Sequence, residues 1–281
     1  MTSEWTTPAA VIKRAVATWG RGHALAAIAS RIDPAPLRVS ILGPAAAERG
    51  AHYGELRRWL ETWQKAPSYM RVEWRETNDR IVGRLRLPVT AHIDTVDDLA
   101  RAADATADLA WFRDAVARTP TAFHAFMAAR PLRVINAGAD WPSVVAAARW
   151  LAENPDSGVH PRQIPADGVH TKIVERYRRD IADMLPKPAD AYSGRDWFET
   201  RFGLATKPLR VRLRVLDRSI PGAPTFEDME VPVAEAAALS IEPANVVVVE
   251  NEVPFLSLPT IPRTVAVLGN GNAASALVRA L

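Results

Sequence analysis

The amino-acid sequence predicts a mixed α/β fold, and three features carry that prediction. Residues 171–185, TKIVERYRRDIADML, repeat apolar side chains at the spacing of one helix face. Residues 208–217, PLRVRLRVLD, alternate apolar and basic side chains as a half-buried strand does. VVVV at 246–249 and VAVL at 265–268 are short unbroken apolar runs, the pattern of strands covered on both faces in a parallel sheet.

The elements follow in order. Thr7-Pro8 is a helix start, after which Val11, Ile12, Ala15, Val16 and Trp19 share a face. PLRVSILGP (36–44) has strand content and a Gly-Pro stop. A helix follows over 45–65 with Leu56, Leu60 and Trp63 facing inward. Residues 69–89 form two strands around a turn at Asn78-Asp79, and Thr95 with Asp98 opens further helices. Residues 112–131 hold two short helices, the second stopping before Pro131. Asp140 and Pro142 begin a helix over 140–154. In the helix over 171–185, Ile173, Val174, Tyr177, Ile181 and Met184 face inward while Lys172, Arg176 and Arg179 lie outward.

With 281 residues the chain has room for two or three domains, with a boundary near Arg130-Pro131. It has no cysteine, which excludes disulfides, thiolate metal sites and cysteine nucleophiles. No window of about 18 apolar residues spans a membrane, and the first residues lack a secretory signal, so the expected compartment is the cytoplasm. The net charge of +3 is unevenly spread: residues 1–130 and 131–216 each carry +4, and residues 217–281 carry −5. Two basic regions before an acidic one suit a polyanion-binding body joined to a metal-binding head, although excesses this small also arise by ordinary fluctuation.

Ligands of parallel sheets collect beyond the carboxyl ends of the strands, where Glu250 and the Gly269–Gly271 pair both fall. The glycine loop can bring backbone close to an anion or to a neighbouring strand. Ala274 stands where the full dinucleotide fingerprint needs glycine, so a nucleotide enzyme is disfavoured. A carboxylate at a strand end is more often solvated than functional, and Glu252 belongs to the following helical turn. His160 and His170 match no metal-ligand spacing. The tryptophans, among them Trp5, Trp19, Trp59, Trp63, Trp141 and Trp150, read as core. Arg210, Arg212 and Arg214 share one strand face, and Lys172, Arg176 and Arg179 one helix face. Each set is a candidate phosphate contact or an ordinary polar surface.

Seven segments in one order, WTTPAAV, EWRETNDRIVGRLRLP, IDTVDDL, ADWP, RQIPADGVHTKIVERYR, KPLRVRLRVLD and ENEVPFLSLPTIP with LGNGN, resemble the JetD family. JetD is the nuclease subunit of the bacterial Wadjet anti-plasmid system and is similar to the A subunit of topoisomerase VI. The resemblance implies an N-terminal, mostly helical arm (1–130), a winged-helix, CAP-like middle domain (131–240) and an incomplete Toprim α/β domain (241–281). A Toprim domain pairs a glutamate after its first strand with a later strand ending in Asp-x-Asp. Glu250 matches the first element, and the second does not occur before Leu281.

For the complete family this implies Mg²⁺- or Mn²⁺-dependent phosphodiester hydrolysis, with Glu250 as catalytic and metal-binding carboxylate. Lys172, Arg176, Arg179, Arg210, Arg212 and Arg214 are then the DNA contacts. The implied partners are double-stranded plasmid DNA without sequence preference, an SMC-type motor complex and a second copy of the chain. One carboxylate does not hold such an ion against water, so the 281-residue chain alone is expected to cut little or no DNA. Topoisomerase VI relatives use a winged-helix tyrosine as nucleophile. Tyr177 lies in the corresponding domain but on the buried stripe, so attack by water is the expectation. The alternative is a non-enzymatic DNA-binding or complex-assembly module.

Overall fold

Thr7 accepts a hydrogen bond from the Ala10 amide at 3.3 Å, and Pro8 opens the first helix, α1 (Pro8–Trp19). The computed structural model describes residues 5–186 and 193–269. It divides into two units, residues 1–204 and 205–281.

In the first unit α1 is followed by α2 (His23–Ala29), β1 (Leu37–Ser40), α3 (Tyr53–Gln64), β2 (Arg71–Asp79) and β3 (Gly83–Ile93). Seven further helices follow: α4 (Val96–Ala102), α5 (Thr106–Arg118), α6 (His124–Ala129), α7 (Pro131–Ala137), α8 (Trp141–Glu153), α9 (Thr171–Met184) and α10 (Trp197–Arg201). The strands form an antiparallel sheet in the order β1-β3-β2.

The expected helix over 45–65 is shorter than predicted. Its first half is a 3₁₀ turn at Ala46–Glu48, and α3 begins only at Tyr53. Gly50 packs so closely on Ile81 that a Cβ would come within 2.9 Å of it, a long-range constraint that local periodicity does not encode. The β2–β3 turn also moves. Asn78 and Asp79 stay in the ladder, opposite Arg84 and Gly83, and the Asp79 carboxylate accepts the Ile81 and Val82 amides at 3.0 and 3.2 Å.

One apolar core runs through this unit, from Val11 through Trp63, Phe112 and Met127 to Ile181 and Phe198. It passes across Arg130-Pro131 without a break, so that position is a helix boundary inside a shared core. The interior tryptophans behave as expected: Trp19, Trp59, Trp63 and Trp141 are buried. Both Trp59 and Trp63 donate their indole N–H to the Thr6 carbonyl, at 2.7 and 3.2 Å, which ties the N-terminal segment to α3.

The second unit contains β4 (Arg210–Val215), β5 (Asp228–Pro232), α11 (Val233–Ala237), β6 (Asn245–Val249), α12 (Glu252–Ser257) and β7 (Thr264–Leu268). Its sheet has the order β5-β4-β7-β6, antiparallel except for the parallel pair β6 and β7. The sequence reading assigns PLRVRLRVLD to a middle domain ending at 240. Hydrogen bonding instead puts it in one sheet with the last strands, Leu213 opposite Val267 and Val215 opposite Val265. The apolar face of β4 drives this pairing, because Val211 and Leu213 bury against Val267 and Ala236. No strand occurs among the described residues of 131–204, so the hairpin that a winged helix would carry is not found within that helical segment.

Candidate functional site

Glu250 directly follows Val249 at the carboxyl end of β6, beside the carboxyl end of the parallel strand β7. Its side chain is exposed and has no hydrogen-bond or ion-pair partner among the described residues. The strand beneath it differs from expectation. β7 is buried along its whole length, as a strand covered on both faces should be. β6 is the edge of the described sheet, bonded only to β7, and leaves Val246 and Val248 42% and 47% exposed.

Gly269 ends β7 and donates its backbone N–H to the Val249 carbonyl at 2.7 Å. A Cβ there would meet Val248 Cγ1 at 3.0 Å. Of the two possibilities open from sequence, Gly269 therefore serves close approach to the neighbouring strand, and its amide is already used. Gly271 lies outside the described residues.

The helix after Glu250 is held by the arginines of β4. Arg212 makes two parallel hydrogen bonds to Asp228 on β5, at 2.8 and 2.7 Å, and a further ion pair to Glu252 at the start of α12. Its guanidinium also lies 5.6 Å over the ring of Phe255. The bonds to Asp228 and then Glu252 raise the Arg212 pKa above its ordinary value, and Arg212 in turn holds Asp228 below the usual carboxylate range. Arg214 takes the other end of α12, donating one nitrogen to the carbonyls of Phe255, Leu256 and Leu258 at 3.1, 2.6 and 3.1 Å, and it pairs with Glu227 at 3.0 Å. A cation at the last carbonyls of a helix satisfies groups that the helix leaves unbonded. Arg210 donates to the Glu230 carbonyl at 2.8 Å. All three guanidinia proposed from sequence as DNA contacts thus have intrachain partners.

Sequence reasoning missed these partners. The signal was present in FEDMEVP, where Glu227, Asp228 and Glu230 match the arginines of RVRLRV. In the ladder Arg212 stands opposite Glu230 and Arg214 opposite Asp228.

In the first unit α9 buries Ile173, Val174, Tyr177, Ile181 and Met184, as its periodicity requires. Lys172, Arg176 and Arg179 are exposed, at spacings of four and three residues that keep them near one face. Lys172 and Arg179 have no ion-pair partner among the described residues. Arg176 pairs with Asp140 at 3.3 Å. Tyr177 is core, and its hydroxyl donates to the same Asp140 oxygen at 2.8 Å. Burial first, and Asp140 second, raise its pKa, opposite to what a ready nucleophile needs. Asp140 was expected to cap α8; its carboxylate makes no cap hydrogen bond. His160 and His170 join no metal-ligand group. Among the described residues no three His, Asp or Glu side chains gather as one, and no helix is long and apolar enough to cross a membrane.

Comparison with known proteins places this geometry. A family model described as "Uncharacterized protein conserved in bacteria N-term (DUF3322)" matches residues 8–186. A second, described as "Wadjet protein JetD, C-terminal", matches residues 203–281, which covers β4 through β7 and Glu250. A search of curated proteins finds no match. The two models together span nearly the whole chain in the order that the sequence motifs anticipate, and the chain belongs to the JetD family of Wadjet defence-system proteins.

Proposed function

We propose that this chain is the DNA-cleaving subunit of a Wadjet plasmid-defence complex, binding double-stranded plasmid DNA without sequence preference and bringing Glu250 to phosphodiester hydrolysis. The observation that carries the reading is the free, exposed carboxylate of Glu250 at the carboxyl end of a parallel strand, inside the segment matched by the JetD C-terminal model. Lys172 and Arg179, which have no ion-pair partner among the described residues, with Arg176 between them, support a phosphate contact along α9. The proposed partners are an SMC-type motor complex and a second copy of the chain, in the cytoplasm.

The residues described do not by themselves fit a Mg²⁺ or Mn²⁺ centre. Such ions take about six hard oxygen ligands, whereas Glu250 is a lone carboxylate here and Glu252 is committed to Arg212. No chemical step through a metal ion follows from these residues.

A second reading, a DNA-binding or assembly module without catalysis, is favoured by that same lack of a ligand group. Plasmid retention in cells carrying the Wadjet genes separates the two. Cleavage predicts that Glu250→Gln restores plasmid maintenance while the complex still assembles. Defence that persists unchanged in Glu250→Gln rejects the role given to this carboxylate.

A further inference from the structure

We propose that Asp140 sets how tightly the α9 face holds DNA, by competing with phosphate for Arg176. The inference rests on the reading of that face as a DNA contact. Lys172 and Arg179 reach solvent without a counter-charge among the described residues, whereas Arg176 has one.

The pairing is unequal in a way that decides its behaviour. Asp140 sits just before α8, and the same carboxylate oxygen accepts both the Tyr177 hydroxyl, at 2.8 Å, and Arg176 Nη1, at 3.3 Å. Tyr177 is buried in the core, so it anchors Asp140 in place. Arg176 is the mobile member: its side chain is 68% exposed against 35% for Asp140, and it makes one long bond to that carboxylate in place of a two-bond fork. Its guanidinium also rests 5.2 Å over the Tyr177 ring.

A phosphate arriving at α9 must take Arg176 from Asp140, and Asp140, fixed by Tyr177, stays behind as a negative charge beside the DNA. Both effects weaken binding. Weak, salt-sensitive binding suits a protein that meets DNA of any sequence and must let go of it.

The test is fluorescence anisotropy of the full chain with a labelled duplex of arbitrary sequence across a salt series. Asparagine keeps an acceptor for the Tyr177 hydroxyl and removes the charge. Asp140→Asn should tighten binding about 2- to 5-fold near ~0.1 M salt, the size of one exposed ion pair. The slope of log K against log salt should steepen by up to about one phosphate contact. In an Arg176→Gln background the gain should shrink to the part that the Asp140 charge alone causes. Unchanged or weaker binding in Asp140→Asn overturns the proposal, as does a gain of equal size without Arg176, which marks a general charge effect. Should Asp140→Asn lose its fold by circular dichroism, Asp140→Ser serves instead, since it also removes the charge and should also tighten binding; no tightening there overturns the proposal too. Lys172→Gln and Arg179→Gln report on the face itself. If they bind as the wild type does, the DNA face is wrong, whereas weaker binding in them with no gain in Asp140→Asn refutes only the role of Asp140.

Discussion

Arg212 on β4 and Glu252 at the first position of α12 form an ion pair that fixes the turn directly after Glu250. The same guanidinium binds Asp228 through two hydrogen bonds, so one side chain ties β5, β4 and α12 together. Arg214 secures the far end of that helix. A strand whose basic face looks like a polyanion contact in sequence acts in the structure as the clamp beneath the candidate site.

Arg212→Gln should therefore lower the melting temperature of the protein more than Glu252→Gln, because the first loses both carboxylates and the second only one. Arg212→Lys should not restore it, since an ammonium cannot reproduce the fork to Asp228. Thermal unfolding of the three variants checks the order, and equal melting temperatures would show the clamp to be idle.

Phe255 is the single buried side chain of α12, with Val253 and Leu256 exposed on the same short helix. Phe255→Ala should cost about 3–5 kcal/mol, the usual penalty for emptying an aromatic core site. Denaturant unfolding measures it. Hydrogen exchange should rise first at residues 251–257, where nothing else apolar holds the helix.

Acid should loosen the second unit through specific carboxylates. Asp217 is held low mainly by the Arg263 amide and then by Ser219, and Asp228 by Arg212. A carboxylate whose folded pKa lies below its unfolded value stabilises the fold above the unfolded value, about 3.9 for aspartate. That contribution is lost as pH falls through the folded value. Stability should stay level from neutral pH to about pH 5 and drop below about pH 4. Asp228→Asn should flatten the drop while lowering the plateau, as read from melting temperatures across the pH series.

Tyr177→Phe should cost about 0.5–1.5 kcal/mol, one lost hydrogen bond to Asp140, and leave plasmid cleavage by the complex intact. Denaturant midpoints and a cleavage assay check the two halves. A covalent protein–DNA adduct that disappears in this variant would restore the tyrosyl mechanism that its burial argues against.

Much of the fold was legible because it is local. The Thr7 start of α1, the α9 stripe and the alternation of β4 need only neighbouring residues, and the structure has all three. What failed depends on distant partners. Gly50 packs on Ile81 where a helix was expected, Leu213 opposite Val267 puts β4 in one sheet with the last strands, and β6 lies at the edge of the described sheet although four valines read as interior. The position of Glu250 at a strand end was legible for the same local reason. The commitment of Arg212 to Glu252, and of Arg214 to the carbonyls that end α12, was not, because contacts across about 40 residues leave only a faint trace in charge alternation.

The most direct measurement is cleavage of closed circular plasmid, with Mg²⁺ or Mn²⁺, by the Wadjet complex assembled with a chain that carries the later Toprim acidic cluster as well, either with Glu250 intact or as Glu250→Ala. Linear or nicked product is expected with Glu250 intact and a loss of about a hundredfold or more with the variant, the size of one positioned acid–base group, while plasmid binding is retained. Equal cutting by both would contradict the role given to Glu250.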